Sequence, residues 1–396
     1  MEERIYDFDP ANVLGKGSFG TVYKGIYNFN GEKKAVALKS IPKDIIDDQS
    51  KLQSLNNEIL ISIELNKEDE INNKKEIKKK EENKEENKDE KKVINNLPII
   101  NENIVNFLDI TTIDNNKYLV YEFCNGGDLK RYLKYFKQFD EKMVQYIMTH
   151  IIKGLQVLHN KKIVHHDIKP ENILIDLCPI TSDKEKENEI IKIIMEKTDP
   201  KNRYVKKYED FSNEEVLNVL SHSKIKLSDF GLSKFKKEAN KIEIAGSPLY
   251  LDPNLLKNES NLETVENEKV DIWSLGILAY ELFFYQVPFQ PLPPSLEKLK
   301  QLFNKGEYFI DFKKCKKISK QFLSFLNACL QEKQKIRPLT DELLEHEFIV
   351  RETEYFTYLT IDNYKDAKFP KGDYLKVEGK ITMNINDNRN INAYFD

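Results

Sequence analysis

The chain has 396 residues, 40% of them hydrophobic, enough apolar material for one large two-part domain or two ordinary ones, which excludes disorder throughout. Lys plus Arg total 62 against 66 for Asp plus Glu, and the resulting net charge of −4 supplies no generic attraction to nucleic acid or acidic membranes. Cys124, Cys178, Cys315 and Cys329 lie far apart without the C-x-x-C spacing of zinc or redox sites, so free thiols in a cytoplasmic chain are expected and a disulfide framework is not.

The opening MEERIYDFDP has no apolar core of the kind a secretory signal needs, which argues against export. From Asn12 to Ile41 alternating residues rich in Val, Tyr and Phe, broken by glycines, predict antiparallel strands. Ser50 to Leu65 carries apolar residues at helical spacing. The tract 67–92 then holds ten Lys and ten acids with almost nothing to bury, and reads as an inserted loop, a solvated polyampholyte or frayed helix. Strand character resumes at Ile104–Ile110 and Lys117–Phe123, and helical patterning runs from Asp128 to Lys161. A second insertion covers 177–223, in which Ser212 followed by Glu215 predicts a capping box opening a short helix through Val219. From Lys269 to Phe348 the pattern is mainly helical, punctuated by Pro288, by 291–294 and by Pro338. Its apolar run Ile272–Tyr285 is too short to span a bilayer and is interrupted by Ser274 and Glu281, so it predicts a buried helix and no integral membrane segment. Residues 350–396 show no periodicity long enough for a domain and are read as a tail.

Chemistry concentrates in a few strings. GKGSFGTVY places Gly15, Gly17 and Gly20 where side chains would stop a strand-loop-strand backbone from closing over phosphates, with Val22 available to cover an adenine ring. A dinucleotide-binding fold would need a helix after the third glycine, and strand-like TVYKGIY follows instead. In VALK, Lys39 ends an apolar strand where a cation can meet phosphate oxygens, and Glu58 on the predicted helix is its expected carboxylate partner. The stretch HHDIKPENIL spaces three functions: Asp167 to accept or orient a hydroxyl proton, Lys169 to neutralise a moving phosphoryl group, and Asn172 to offer an amide oxygen to magnesium. In DFG, after strand-like KIKLS, Asp229 is expected as the second magnesium ligand, a hard oxygen for a hard cation. Each string alone has a bland reading: a surface lysine, an exposed helix acid, an Asp-Gly turn. Their joint order and separation do not.

The ordered set resembles the eukaryotic serine/threonine protein kinases. The resemblance covers residues 8–349 and implies an α+β bilobal fold, with an antiparallel β-sheet plus one main helix in an N-lobe (8–124, insertion 67–92) and a mainly α-helical C-lobe (125–349, insertion 177–223). It implies ATP and Mg2+ as cofactors and protein substrates with Ser or Thr acceptors. For the nucleotide it implies Gly15, Lys16, Gly17, Gly20 and Val22 on the glycine-rich strands, with Ala37 and Lys39 beside them. It further implies Tyr121 as gatekeeper, Glu122 and Cys124 at the hinge, and Leu174 across the cleft. Lys169 with Ser247 in GSPLY matches the serine/threonine class, Asp271 in DIWSLG the acid that braces the catalytic loop, and Arg337 the family's C-lobe arginine. Within the family, YLVYEFCNGGDLKRYL and GSPLYLDPNLL look most like the autophagy-initiating kinases, with calcium/calmodulin-type kinases as the runner-up. The insertions and tail are where a regulatory partner would dock.

Several positions depart from that pattern. His166 stands where kinases controlled by loop phosphorylation carry an arginine, and a mostly neutral imidazole cannot make the bidentate clamp on a phosphate. Glu243 occupies the place of a phosphorylatable threonine, so the loop is expected to order without phosphorylation, with Ser233 and Ser247 as competing points of control. DPN replaces A-P-E, putting Asn254 where a glutamate would pair with Arg337; a relayed acid or water is expected to serve the cation instead, at some loss of stability. Ser62, four residues after Glu58, is expected to loosen the packing of that helix on Phe230. The alternative function is a pseudokinase scaffold, which has little physical reason to keep Lys39, Asp167, Asn172 and Asp229 together.

Overall fold

Five strands, β1 (Ile5–Gly17), β2 (Gly20–Phe29), β3 (Glu32–Ser40), β4 (Phe107–Ile113) and β5 (Asn116–Glu122), form one antiparallel sheet in the order β1-β2-β3-β5-β4. The structure is a computed structural model that describes residues 5–17, 20–29, 32–42, 49–82, 101–177, 191–192, 213–236, 246–256, 268–290, 293, 295–305, 309–310, 318–351 and 374–375. The chain divides into two compact units, the first comprising Met1–Asn125 with Ser228–Ser233 and the second Gly126–Leu227 with Lys234–Asp396.

In the first unit the period-2 alternation of the strands sorts side chains onto two faces. Val36, Leu38, Tyr118 and Val120 pack with Tyr27 on one face. On the other, Leu119 joins Phe107 and Leu55, the last from helix α1 (Gln49–Glu82), with Tyr121 against them. Lys39 pairs in register with Leu119, and Ala37 with Tyr121, so Lys39 belongs to the face that the helix covers. Helix α1 continues well past Leu65 into a stretch rich in Lys and Glu, which are good helix formers. The rest of the charged tract, 83–92, lies outside the described residues.

The second unit is mainly helical. Asp128 caps α2 (Leu129–Phe136) by accepting from the Arg131 N–H at 3.0 Å, and Asp140 caps α3 (Glu141–Asn160) by accepting from Met143 at 2.8 Å. The helical pattern predicted from Asp128 to Lys161 is two helices, parted where Lys137 takes a left-handed conformation (φ 68°). Helix α4 (Asn213–Leu220) lies in the second insertion; the predicted cap Ser212 is outside the described residues. Short α5 (Pro253–Leu256) precedes α6 (Glu268–Phe284), which is buried nearly all round, as a central helix must be and as its apolar run predicts. Among the described residues no helix is long and apolar enough to cross a membrane.

Small sheets complete this unit. Strand β6 (Gly127–Asp128) pairs with β8 (Ile173–Asp176), which pairs with β9 (Lys224–Leu227), while β7 (Ile163–Val164) pairs with β10 (Lys234–Phe235). Beyond Arg351 the described residues are Tyr374–Leu375, which pair with Ile318–Ser319. The architecture is the expected α+β one, an antiparallel sheet with one main helix in the first unit and a mainly α-helical second unit.

Candidate active site

In the first unit the strand register sets out one cluster. Gly15 pairs with Val22, Val22 with Lys39, and Ala37 with Tyr121, so these predicted positions lie on neighbouring strands of one sheet. Gly15, Lys16 and Gly17 are exposed at the end of β1, and Gly20 takes φ 139° with the Ser40 carbonyl oxygen in the space a Cβ would need, so only glycine fits. Ser18 and Phe19 lie outside the described residues.

Lys39 reaches Glu58 Oε1 at 2.6 Å and Asp229 Oδ1 at 3.0 Å. Burial would lower its pKa, but the two carboxylates outweigh burial and raise it, so the ammonium stays charged. Glu58 is 1% exposed. It therefore faces the sheet, and Ser62, buried one turn later, has not kept it from doing so. Asp229 itself is left-handed (φ 62°), and Phe230, next in the chain, is buried in a turn packed on α1. Glu122 turns its carboxylate back to accept from the Asn106 N–H at 2.8 Å, and Cys124 is buried.

In the second unit Asp167 collects four donors. Its Oδ2 accepts from Lys169 Nζ (2.6 Å) and Asn172 Nδ2 (2.8 Å), and its Oδ1 from the Ser247 backbone N–H (3.0 Å) and hydroxyl (3.1 Å). Lys169 also reaches Ser247 Oγ at 3.0 Å, and Asn172 donates to the Asp167 carbonyl at 2.8 Å. Leu174 is half-buried on β8, two residues on.

The loop is held from α6. Asp271 accepts from the backbone N–H groups of His165 (2.8 Å) and His166 (2.9 Å) and meets His159 Nε2 at 2.9 Å. His166 needs that support, because it is left-handed (φ 67°), a conformation that costs a non-glycine residue about 1–3 kcal/mol. Hydrogen bonds to a charged acceptor, each worth about 1.5–3 kcal/mol, are enough to offset it. Burial pushes the Asp271 carboxyl up, but the His159 hydrogen bond and the surrounding imidazoles bring it net below the usual carboxylate value. Burial, more than any neighbour, lowers the pKa of His166, so it stays neutral.

Arg337 finds the relayed acid that the sequence called for. Its guanidinium binds Asp252, two residues before Asn254, while Asn254 donates from both its backbone N–H and its side-chain amide to the other oxygen of Asp252, each at 2.8 Å. The expected loss of stability from a stranded cation therefore has no basis in this packing. Glu243 lies outside the described residues. Three further contacts went unpredicted: the Tyr121 hydroxyl on Glu58 (2.9 Å), His159 on Asp271, and Lys130 Nζ on Glu281 (3.0 Å). For Asp252 a signal was present, an acid inside the apolar string LYLDPNLL; for the others the sequence offers none.

The sequence profile described as "Protein tyrosine and serine/threonine kinase" matches residues 62–346. The chain belongs to the protein kinase family. Serine/threonine kinases are prominent among the relatives of this kinase chain. It is 24% identical to the mitogen-activated protein kinase kinase kinase YODA of Arabidopsis thaliana (86% of this chain, 29% of that one). To the serine/threonine-protein kinase ULK1 of Homo sapiens it is 25% identical (87% of this chain, 25% of that one). To the serine/threonine-protein kinase unc-51 of Caenorhabditis elegans it is 27% identical (74% of this chain, 26% of that one). The kinase chain thus spans less than a third of the length of each of these relatives.

Proposed function

We propose that this chain is an active serine/threonine kinase, which transfers the terminal phosphoryl group of ATP to a Ser or Thr hydroxyl of a protein. The observation that carries the reading is the Asp167 cluster, a carboxylate oriented by Lys169, Asn172 and Ser247. Asp167 takes the proton of the acceptor hydroxyl as that oxygen bonds to phosphorus and the bond to the ADP oxygen breaks. Lys169 balances charge on the phosphoryl oxygens in passage. Lys39, held cationic by Glu58 and Asp229, fixes the non-transferred phosphates.

The donor chemistry suits magnesium. Asp229 offers a carboxylate that is 41% exposed, and Asn172 an amide whose nitrogen is committed to Asp167, which turns its oxygen the other way. Magnesium binds through one or two carboxylates plus substrate phosphates and keeps several waters. A bound ion would neutralise the phosphate oxygens and help align them.

Likeness to ULK1 and unc-51 supports a place in autophagy-type signalling; the similar identity to YODA supports other pathways as well. Incubation with magnesium-ATP and a generic protein acceptor tests the activity, with Asp167→Asn as the control. Equal phosphate incorporation by both chains would leave the pseudokinase reading standing.

A further inference from the structure

Glu58 offers its partners one oxygen. Oε1 receives Lys39 Nζ at 2.6 Å and the Tyr121 hydroxyl at 2.9 Å, while Oε2 is buried without a hydrogen-bond partner. The two donors differ in kind. Lys39 is a flexible amine that also serves Asp229 at 3.0 Å, and the proposed reaction asks it to serve phosphate oxygens too. Tyr121 is a rigid ring on β5, between β3 and β4 in the sheet, set edge-on to Phe107 at 5.4 Å between centroids. Its hydroxyl is placed by the sheet and is not asked to serve phosphate. Burial, reinforced by the Glu58 charge, raises the phenol's pKa, so it remains a donor throughout the physiological range.

We infer that Tyr121 is a positioning residue: its hydroxyl keeps the Glu58 carboxylate on the sheet side of α1, aimed at Lys39, while Lys39 divides its hydrogen bonds between acids and phosphates. The sheet also holds this helix through the apolar cluster of Leu55, Phe107 and Leu119 and the Asn66 amide on the Phe107 carbonyl at 2.7 Å. Those fix where the helix lies. The hydrogen bonds from Tyr121 and Lys39 fix where the Glu58 carboxylate points. The inference rests on the kinase reading, because it assigns Lys39 to phosphates.

Tyr121→Phe removes the hydroxyl and keeps the ring against Phe107. On the full chain it should lower kcat about tenfold, the loss of one hydrogen bond to a buried charge, and leave KM for ATP within about twofold. Glu58→Gln and the double variant complete a cycle, and the two losses should be strongly non-additive. The same four chains are also compared by thermal unfolding, where the same pair should again be coupled. Wild-type kcat in Tyr121→Phe, or additive losses in the cycle, would overturn the inference while the kinase reading stands. An inactive wild type would sink the kinase reading, and coupling would then be judged from unfolding, where additivity overturns it.

Discussion

Arg337 and Asp252 form an ion pair in which both side chains are fully buried. The guanidinium spends its other donors on the carbonyls of Gln331 (2.6 Å), Lys269 (2.8 Å) and Glu332 (3.2 Å), and lies 5.0 Å from the Trp273 ring. Gln334 and Asn254 saturate the carboxylate. Breaking one side of such a pair strands the other, so Asp252→Ala should cost about 3–5 kcal/mol in urea unfolding. Asn254→Ala removes the amide's bonds to the Asp252 carboxylate and the Glu332 carbonyl but keeps the backbone N–H, and should cost about 1.5–3 kcal/mol. A smaller loss for Asp252 than for Asn254 would show that Asn254, not Asp252, carries this corner.

Activity should survive phosphatase treatment of the pure kinase. His166 is neutral and no fixed clamp for a phosphate, and the Ser247 hydroxyl is already shared between Asp167 and Lys169. Ser233 is 1% exposed and poorly placed to be modified. A phosphate on Ser247 would set its charge against the Asp167 carboxylate, so Ser247→Asp should lower kcat by about a hundredfold or more. Loss of activity on dephosphorylation, or an active Ser247→Asp chain, would refute a site that is ready without phosphate.

What the sequence made legible was chiefly what chain direction and spacing determine. Lys39 sits on a strand and Glu58 on a helix whatever the tertiary detail, and Asp167, Lys169 and Asn172 share one short loop. Register is less accessible: nothing in VYEFC says that the Tyr121 hydroxyl meets Glu58, since that depends on β5 pairing with β3 so that Ala37 faces Tyr121. The break between α2 and α3 was missed because Leu129, Tyr132, Leu133 and Phe136 are in phase with the apolar residues of α3, and the Asp140 cap is a weaker signal than a proline. The partner of Arg337 was legible only as a need, because a buried cation demands an acid but does not say which.

Acid should weaken the fold in two steps. The lowered His166 pKa comes first from burial, with Lys234, His165 and His159 adding to it and Asp271 opposing it. The unfolded chain takes up a proton at this residue near pH 6.5 while the native chain resists, so stability falls as pH drops below about 6.5. The depressed Asp271 adds stability that is complete above its unfolded value near 3.9 and is lost as pH falls through the lower folded one. His166→Gln should therefore flatten the urea midpoint between about pH 6.5 and 5 while keeping the steeper loss below about pH 4. Identical profiles for the two chains would show that His166 titrates alike folded and unfolded.

In the proposed reaction Lys39 serves both fold and chemistry, and the two can be separated. Lys39→Met should abolish most phosphoryl transfer, since the phosphates lose their cation. It should also destabilise the chain by about 3 kcal/mol, because Glu58 is left as a buried carboxylate with only the Tyr121 hydroxyl for company. Asp229, being substantially exposed, can turn to water and adds little to that loss. Adding Glu58→Gln to Lys39→Met removes the stranded charge, so unfolding stability should recover by about 1–2 kcal/mol while transfer stays absent. If Lys39→Met alone unfolds like the parent chain, Glu58 is not held as a buried anion, and the ion pair cannot be what raises the Lys39 pKa.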